Sequence, residues 1–304
     1  MNVDLRTRVG SVALKNPVMT ASGTAGHGAE LQAFFDLAQL GAHVVKSLAA
    51  FEWKGNPAPR VHPAGVGMIN AVGLQGPGAA GWLADDLPAL VAAEATVVVS
   101  IWGRSVAEFR EAAELLAEAP ASVVAVEVNL SCPNLEGRRG IFAHDPELSA
   151  EVIDATEACG LPRWAKLSPN TDRVVEVAAA VQHAGAEAVT LINTLLGLVI
   201  DPVNRHPVLG AGGGGYSGQP IHPVAVRTVF DVHEALPDLP IVGVGGVANG
   251  WGAVELLLAG ASAVQVGTAN FVDPRASLHV LHEVGEWCGE HGVRSVADLV
   301  GGAH

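Results

Sequence analysis

Short runs of apolar, mostly β-branched residues recur along this chain, separated by stretches with helical spacing. The runs fall at residues 18–21, 42–45, 96–99, 123–128, 164–167, 188–192, 241–244 and 263–266. Their nearly continuous hydrophobicity predicts parallel strands buried on both faces. Between them, residues 105–118 set Val106, Phe109, Ala112, Ala113, Leu115 and Leu116 against Glu108, Glu111 and Glu114, as an amphipathic helix does. Asp145-Pro146-Glu147 offers a cap and a first-turn proline for a second helix. A third is expected to start at Thr171-Asp172 and to end at Ala184-Gly185. Ahead of all these, residues 3–9 and 11–14 alternate around Gly10 like a hairpin. The expected fold is α/β: a (β/α)8 TIM-type barrel with an N-terminal β-hairpin, residues 1–304 forming one domain. Two long connections, 47–95 and 193–219, are expected to be functional loops. Residues 211–216 are so rich in glycine that they read as a mobile loop.

Composition narrows the setting. Three cysteines, none in a CxxC pair, argue against a disulfide framework, a structural zinc or an iron-sulfur cluster held by this chain. A net charge of -14 without a basic block argues against nonspecific nucleic-acid binding. No apolar run reaches the length of a membrane span. The alternating N-terminus lacks the apolar centre of a signal peptide. A reducing cytoplasm is the expected compartment.

Chemistry is expected at the strand ends. At or just past them stand Ser22-Gly23, Lys46, Ser100, Asn129, Lys166, Asn193-Thr194, Gly245-Gly246 and Gly267-Thr268. Barrel enzymes carry their catalytic groups on that rim. The chain has four lysines against thirteen arginines, and two of the four fall at strand ends. A lone strand-end lysine often does no more than reach solvent; two within one repeating pattern favour a site. The glycine pairs after the last two strands suit a phosphate, because backbone N–H groups can approach an anion there.

The sharpest signal is Asn129-Leu130-Ser131-Cys132-Pro133-Asn134. A thiol flanked by carboxamides at a strand end is poor core material. It offers a base, with a reference pKa of ~8.5, beside groups that can hydrogen-bond a flat polar ring. An isolated cysteine is more often a core thiol, and Cys159 and Cys288 are read that way. His279 and His282 could share a helix face but lack a third ligand, so no metal is expected.

That motif resembles the active-site motif of class 1 dihydroorotate dehydrogenases. So do Ala21-Ser22-Gly23, Val45-Lys46, Gly55-Asn56-Pro57, Pro59-Arg60-Val61 and the run from Met68 to Gln75. In the second half, Lys166-Leu167-Ser168-Pro169-Asn170, Ile192-Asn193-Thr194, Ser217-Gly218 and the run from Ala259 to Val264 match as well. The segments from Gly55 to Val61 and from Met68 to Gln75 look most like the 1B subclass. The resemblance implies FMN at the barrel rim, contacted by Ser22, Lys46, Ser47, Ser100, Asn129, Lys166, Ile192, Gly218, Gly245, Gly246, Gly267 and Thr268. It implies that Lys46, Asn70, Ala71, Val72, Gly73, Leu74, Asn129, Asn193 and Thr194 hold dihydroorotate or orotate, with Cys132 as the base. It further implies a homodimer, joined into a heterotetramer by an iron-sulfur, FAD-carrying subunit that passes electrons to NAD. Two departures stand out: Ser100 where the family often has asparagine, and Arg138-Arg139 in a lid loop that usually carries a glycine pair. Three other readings stay open: a flavoenzyme for another dihydropyrimidine, a flavin-free barrel lyase or isomerase with a phosphorylated substrate, and a non-catalytic flavin-binding subunit.

Overall fold

A computed structural model of the chain describes residues 3–134 and 140–304. Eight parallel strands form the central sheet: β1 (Val18–Thr20), β2 (His43–Val44), β3 (Val97–Ile101), β4 (Val123–Asn129), β5 (Arg163–Lys166), β6 (Ala188–Leu191), β7 (Ile241–Val244) and β8 (Ala261–Val266). Each pairs with its neighbours in chain order, and β8 pairs with β1. A parallel bridge from Met19 to Ala42 joins β1 to the approach of β2 and closes the ring. The expected barrel is the observed one.

Alternation along the strands sorts the barrel interior into layers. Met19, Val44, Val98, Ala125, Trp164, Ala188, Val242 and Ala263 pack as one buried cluster. The antiparallel hairpin Thr7–Val9 with Val12–Leu14 adds Val9, Val12 and Leu14 to it and plugs that end. Two residues further along their strands, Ser100, Glu127, Lys166, Thr190 and Gln265 form a buried polar layer. The cavity described below opens above it.

Outside lie α3 (Val106–Glu114), α4 (Pro146–Ala155), α5 (Val174–His183), α6 (His222–Ala235), α7 (Gly250–Leu258) and α8 (Ala276–Glu290). Ser105 caps α3 by accepting from the Glu108 N–H, and Asp145 caps α4 by accepting from Glu147 and Leu148. The third expected helix begins later than Thr171-Asp172. Thr171 Oγ1 accepts from the Arg173 N–H, a local turn that competes with helix and delays it to Val174. Between β1 and β2, short 3-10 turns at Glu30–Ala33 and Leu37–Gln39 replace a helix. Among the described residues no helix is long and apolar enough to cross a membrane.

The two long connections carry structure of their own. The first holds the strands Val61–Ala64 and Gly67–Asn70, then α1 (Gly78–Asp85) and α2 (Leu87–Ala92). The second holds Leu195–Gly197 and Gly214–Ser217. These four strands pair antiparallel into a second sheet, with Gly214–Ser217 bonded to Leu195–Gly197 on one side and to Gly67–Asn70 on the other. From Gly214 on, the glycine-rich stretch expected to be a loop is therefore a paired strand. Glycine is required there for closeness: a Cβ on Gly214 would lie 2.2 Å from the Asn70 carbonyl oxygen, and one on Gly215 2.1 Å from Thr194 Oγ1.

Candidate active site

The strand ends and the second sheet enclose a cavity of about 420 Å³, within the ~300–1,000 Å³ typical of small-molecule sites. Ser22, Lys46, Ser47, Asn129, Cys132, Lys166, Ile192, Asn193, Thr194, Gly218, Gly245, Gly246, Gly267 and Thr268 all line it. So do Asn70, Ala71, Val72, Gly73 and Leu74. Ser100 does not. β3 runs on to Ile101, beyond the expected end at residue 99, so Ser100 lies inside the strand, in register with Glu127. It is fully buried and shares a 2.8 Å hydrogen bond with Ser47 Oγ, which in turn accepts from Asn129 Nδ2 at 3.3 Å. Ser100 thus braces two lining residues from behind. Arg138-Arg139 lie outside the described residues.

One wall is made of backbone. Gly218, Gly245 and Gly246 hold φ of 101°, 133° and 71°, values that favour glycine. A Cβ on Gly245 would meet Ala225 Cβ at 2.8 Å, and one on Gly246 would meet His222 Cβ at 2.7 Å. The 14-residue α6 starts at His222, against this wall, and its positive dipole end favours an anion. Thr268 Oγ1 donates to Ser217 Oγ at 2.8 Å, tying the loop after β8 to the second sheet. The wall thus offers close-approaching backbone and a helix N-terminus, a setting that suits an anion.

The opposite wall is made of side chains. Asn129 Oδ1 accepts from the Ser131 N–H at 3.1 Å, and Asn70 Nδ2 donates to the Gly215 carbonyl at 3.2 Å. Ser131 Oγ is buried without a hydrogen-bond partner among the described residues, an orphan that a polar ligand would satisfy. Gly73 and Leu74 both adopt positive φ, 74° and 61°. For leucine this conformation costs on the order of 1–3 kcal/mol. The strain buys a tight bend that curls the chain after Asn70 around the cavity.

The charge balance is one-sided. In a chain of net charge -14, the cavity is lined by two ammonium groups, Lys46 and Lys166, and by no carboxylate among the described residues. Lys166 Nζ donates to Ser22 Oγ at 3.0 Å and faces Glu127 Oε1 at 3.4 Å. Lys46 has no carboxylate within ion-pair distance among the described residues. Burial, and then the positive charge of Arg60, push its pKa below the ordinary lysine value.

Cys132 lines the cavity, but its setting differs from the sequence expectation of a thiol titrating near its free value. Its Sγ–H donates to the carbonyls of Gly103, at 3.3 Å, and Asn129, at 3.2 Å. Burial pushes the thiol up to about 12. At neutral pH it is a proton-bearing group, and a strong base once the proton leaves.

Several lining residues escaped the sequence reading. Met68, Leu196, Gly214 and Gly215 come from the second sheet, whose pairing no local pattern announces. Asn170 was visible in Lys166-Leu167-Ser168-Pro169-Asn170. Its Nδ2 donates to Ser168 Oγ and to the Thr194 carbonyl, both at 3.0 Å, and its Oδ1 accepts from the Leu196 N–H. It fastens the loop after β5 to the loop after β6.

Comparison with known proteins agrees with this geometry. The family model described as dihydroorotate dehydrogenase matches residues 4–287. The catalytic subunit of dihydroorotate dehydrogenase B (NAD(+)) from Desulforudis audaxviator is 44% identical over 305 residues, covering 100% of this chain and 99% of that protein. Its counterpart in Alkaliphilus oremlandii is 42% identical, covering 98% of each chain. A relative in Solibacter usitatus, 42% identical over 99% of each chain, carries dihydroorotate dehydrogenase A and fumarate in its name instead. The match of the family model to residues 4–287, together with 44% identity across the whole chain, shows that this chain belongs to the dihydroorotate dehydrogenase family of flavin-dependent oxidoreductases.

Proposed function

We propose that this chain oxidises dihydroorotate to orotate in pyrimidine (UMP) biosynthesis, as one FMN-binding domain in the cytoplasm. The observation that carries the reading is the cavity itself: two ammonium groups, no lining carboxylate among the described residues, and a wall of glycine backbone. The glycine wall and the start of α6 would hold the phosphate of FMN, and Ser22, Ser47, Asn129, Lys166 and Ile192 its remaining body. FMN, when bound, supplies a two-electron acceptor for the hydride leaving C6 of the substrate and becomes anionic in doing so. Lys166 would stabilise that charge as it develops. Lys46, an ammonium in need of an anion, would take the substrate carboxylate. Its isolation favours dihydroorotate over dihydropyrimidines that lack one. Asn70, Asn129, Asn193 and Thr194, with the backbone of residues 71–74, would read the alternating donors and acceptors of the ring. Cys132 would remove the proton from C5. Electrons would pass to NAD through an iron-sulfur, FAD-carrying subunit docked on a homodimeric core. The names of the Desulforudis and Alkaliphilus relatives support this acceptor, as does the absence of a cluster ligand set here: Cys132, Cys159 and Cys288 are all buried and free.

The test is Cys132→Ala. The variant should keep its FMN while flavin reduction by dihydroorotate slows by about 10²–10⁴-fold. In the parent protein that rate should climb about tenfold per pH unit without a plateau below pH 10, because the thiol titrates at about 12. A near-normal rate in Cys132→Ala sinks the base assignment. Protein that stays colourless after FMN is supplied sinks the flavin reading.

A further inference from the structure

Beneath the cavity lies a carboxylate that the chemistry above does not use. Glu127 is fully buried on β4, in the polar layer of the barrel interior. It is not among the lining residues, so it touches neither cofactor nor substrate directly. Gln265 Nε2 donates to its Oε2 at 2.7 Å, and Lys166 Nζ faces its Oε1 at 3.4 Å. The same Nζ donates to Ser22 Oγ at 3.0 Å on the cavity wall. An ammonium has three donors. Two are engaged by Glu127 and Ser22, leaving one for the cavity that Lys166 lines.

An ammonium favours an anionic neighbour over a neutral one, and therefore the reduced form of a flavin over the oxidised form. A carboxylate in the same buried pocket cancels part of that preference, because charges screen poorly there. We propose that Glu127 is a positioning residue that acts through Lys166 to hold the flavin's reduction potential low enough for its two electrons to pass to an acceptor of the nicotinamide class. This rests on the FMN reading above. The contrast with Lys46 supports it: that ammonium also lines the cavity but has no such counterweight among the described residues.

The isosteric variant fits the site. Gln265 Oε1 is buried without a partner among the described residues. A glutamine at 127 can donate to it after the Gln265 amide turns over, and can still accept from Lys166.

The experiment is a reductive titration of the FMN-loaded protein against a reference dye, with no dihydroorotate present. E127Q should bind reduced FMN about tenfold more tightly relative to oxidised FMN, a midpoint raised by roughly 30 mV for a two-electron couple. Glu127→Asp keeps the charge one methylene further back, and should raise the midpoint by a smaller, about threefold, effect. In a Lys166→Met background, E127Q should change the ratio less than threefold. A midpoint in E127Q at or below the parent value overturns the inference, as does an undiminished shift without Lys166. If E127Q does not retain FMN, Glu127→Asp decides alone, and a midpoint at or below the parent value overturns the inference. Parent protein that takes up no FMN defeats both this inference and the functional proposal. Normal loading with an unmoved midpoint defeats only this one.

Discussion

Lys46 and Lys166 stand at the ends of two barrel strands and line one cavity, yet they occupy opposite settings. Lys166 is almost wholly buried and held between Glu127 and Ser22. Lys46 is half-buried, lacks a carboxylate among the described residues, and has its proton affinity lowered by burial and by Arg60. A paired ammonium is part of the frame. It keeps its place whether or not a ligand is present, and removing it leaves a charge behind. An unpaired ammonium is a standing cost to the fold that an incoming anion relieves. The cavity thus has one cation fixed in advance and one left without a carboxylate partner among the described residues.

The largest expected effect comes from breaking the fixed member. Lys166→Met leaves Glu127 buried without its cation and should lower stability by about 3–5 kcal/mol, measured by urea unfolding. The double variant carrying E127Q as well should recover most of that loss. A Lys166→Met protein as stable as its parent would erase the distinction between the two lysines.

Lys46→Met should do the reverse. Stability should hold or rise, while KM for dihydroorotate should increase about 10- to 100-fold, the worth of one hydrogen bond to a charged group. Unchanged KM would remove Lys46 from the substrate site.

The smallest effect lies in the pH dependence of stability. The folded pKa of Lys46 lies below its ordinary value of 10.5. Between those two values the unfolded chain binds more protons, so stability rises with pH across that window. Below the folded value the cost of the buried charge is felt in full. The stability advantage of Lys46→Met over the parent should therefore shrink as pH is raised toward 10.5. A difference that stays constant across that range would mean that Lys46 is not desolvated.

The barrel was legible because its strands are buried on both faces, which leaves nearly unbroken apolar runs in the sequence. The rim followed, since strand ends locate it. Ser100 shows the limit of that reasoning. Two more residues of strand moved it from the rim to the layer below, and an apolar run does not mark where pairing stops when the next residue is a small serine. The second sheet was not legible at all. Its strands contain Pro63, Gly67, Gly197, Gly214 and Gly215, residues that weaken a local strand signal. They are strands because the barrel mouth brings them together. Glu127 appeared only as an interruption in an apolar run, since its meaning depends on Gln265, 138 residues away along the chain. The thiol of Cys132 was found, but its proton affinity depends on the Gly103 carbonyl and on burial, neither of which a motif encodes.

The second sheet carries a consequence for loop grafting. Its middle strands, Gly67–Asn70 and Gly214–Ser217, come from different connections yet share one ladder, Asn70 opposite Gly215 and Met68 opposite Ser217. A chimera that imports either connection from a relative would have to match side-chain volume across that ladder, where Gly214 leaves no room for a methyl group. The two connections are therefore expected to be inherited as a set, and swapping them together should succeed where swapping either alone gives a misregistered cover.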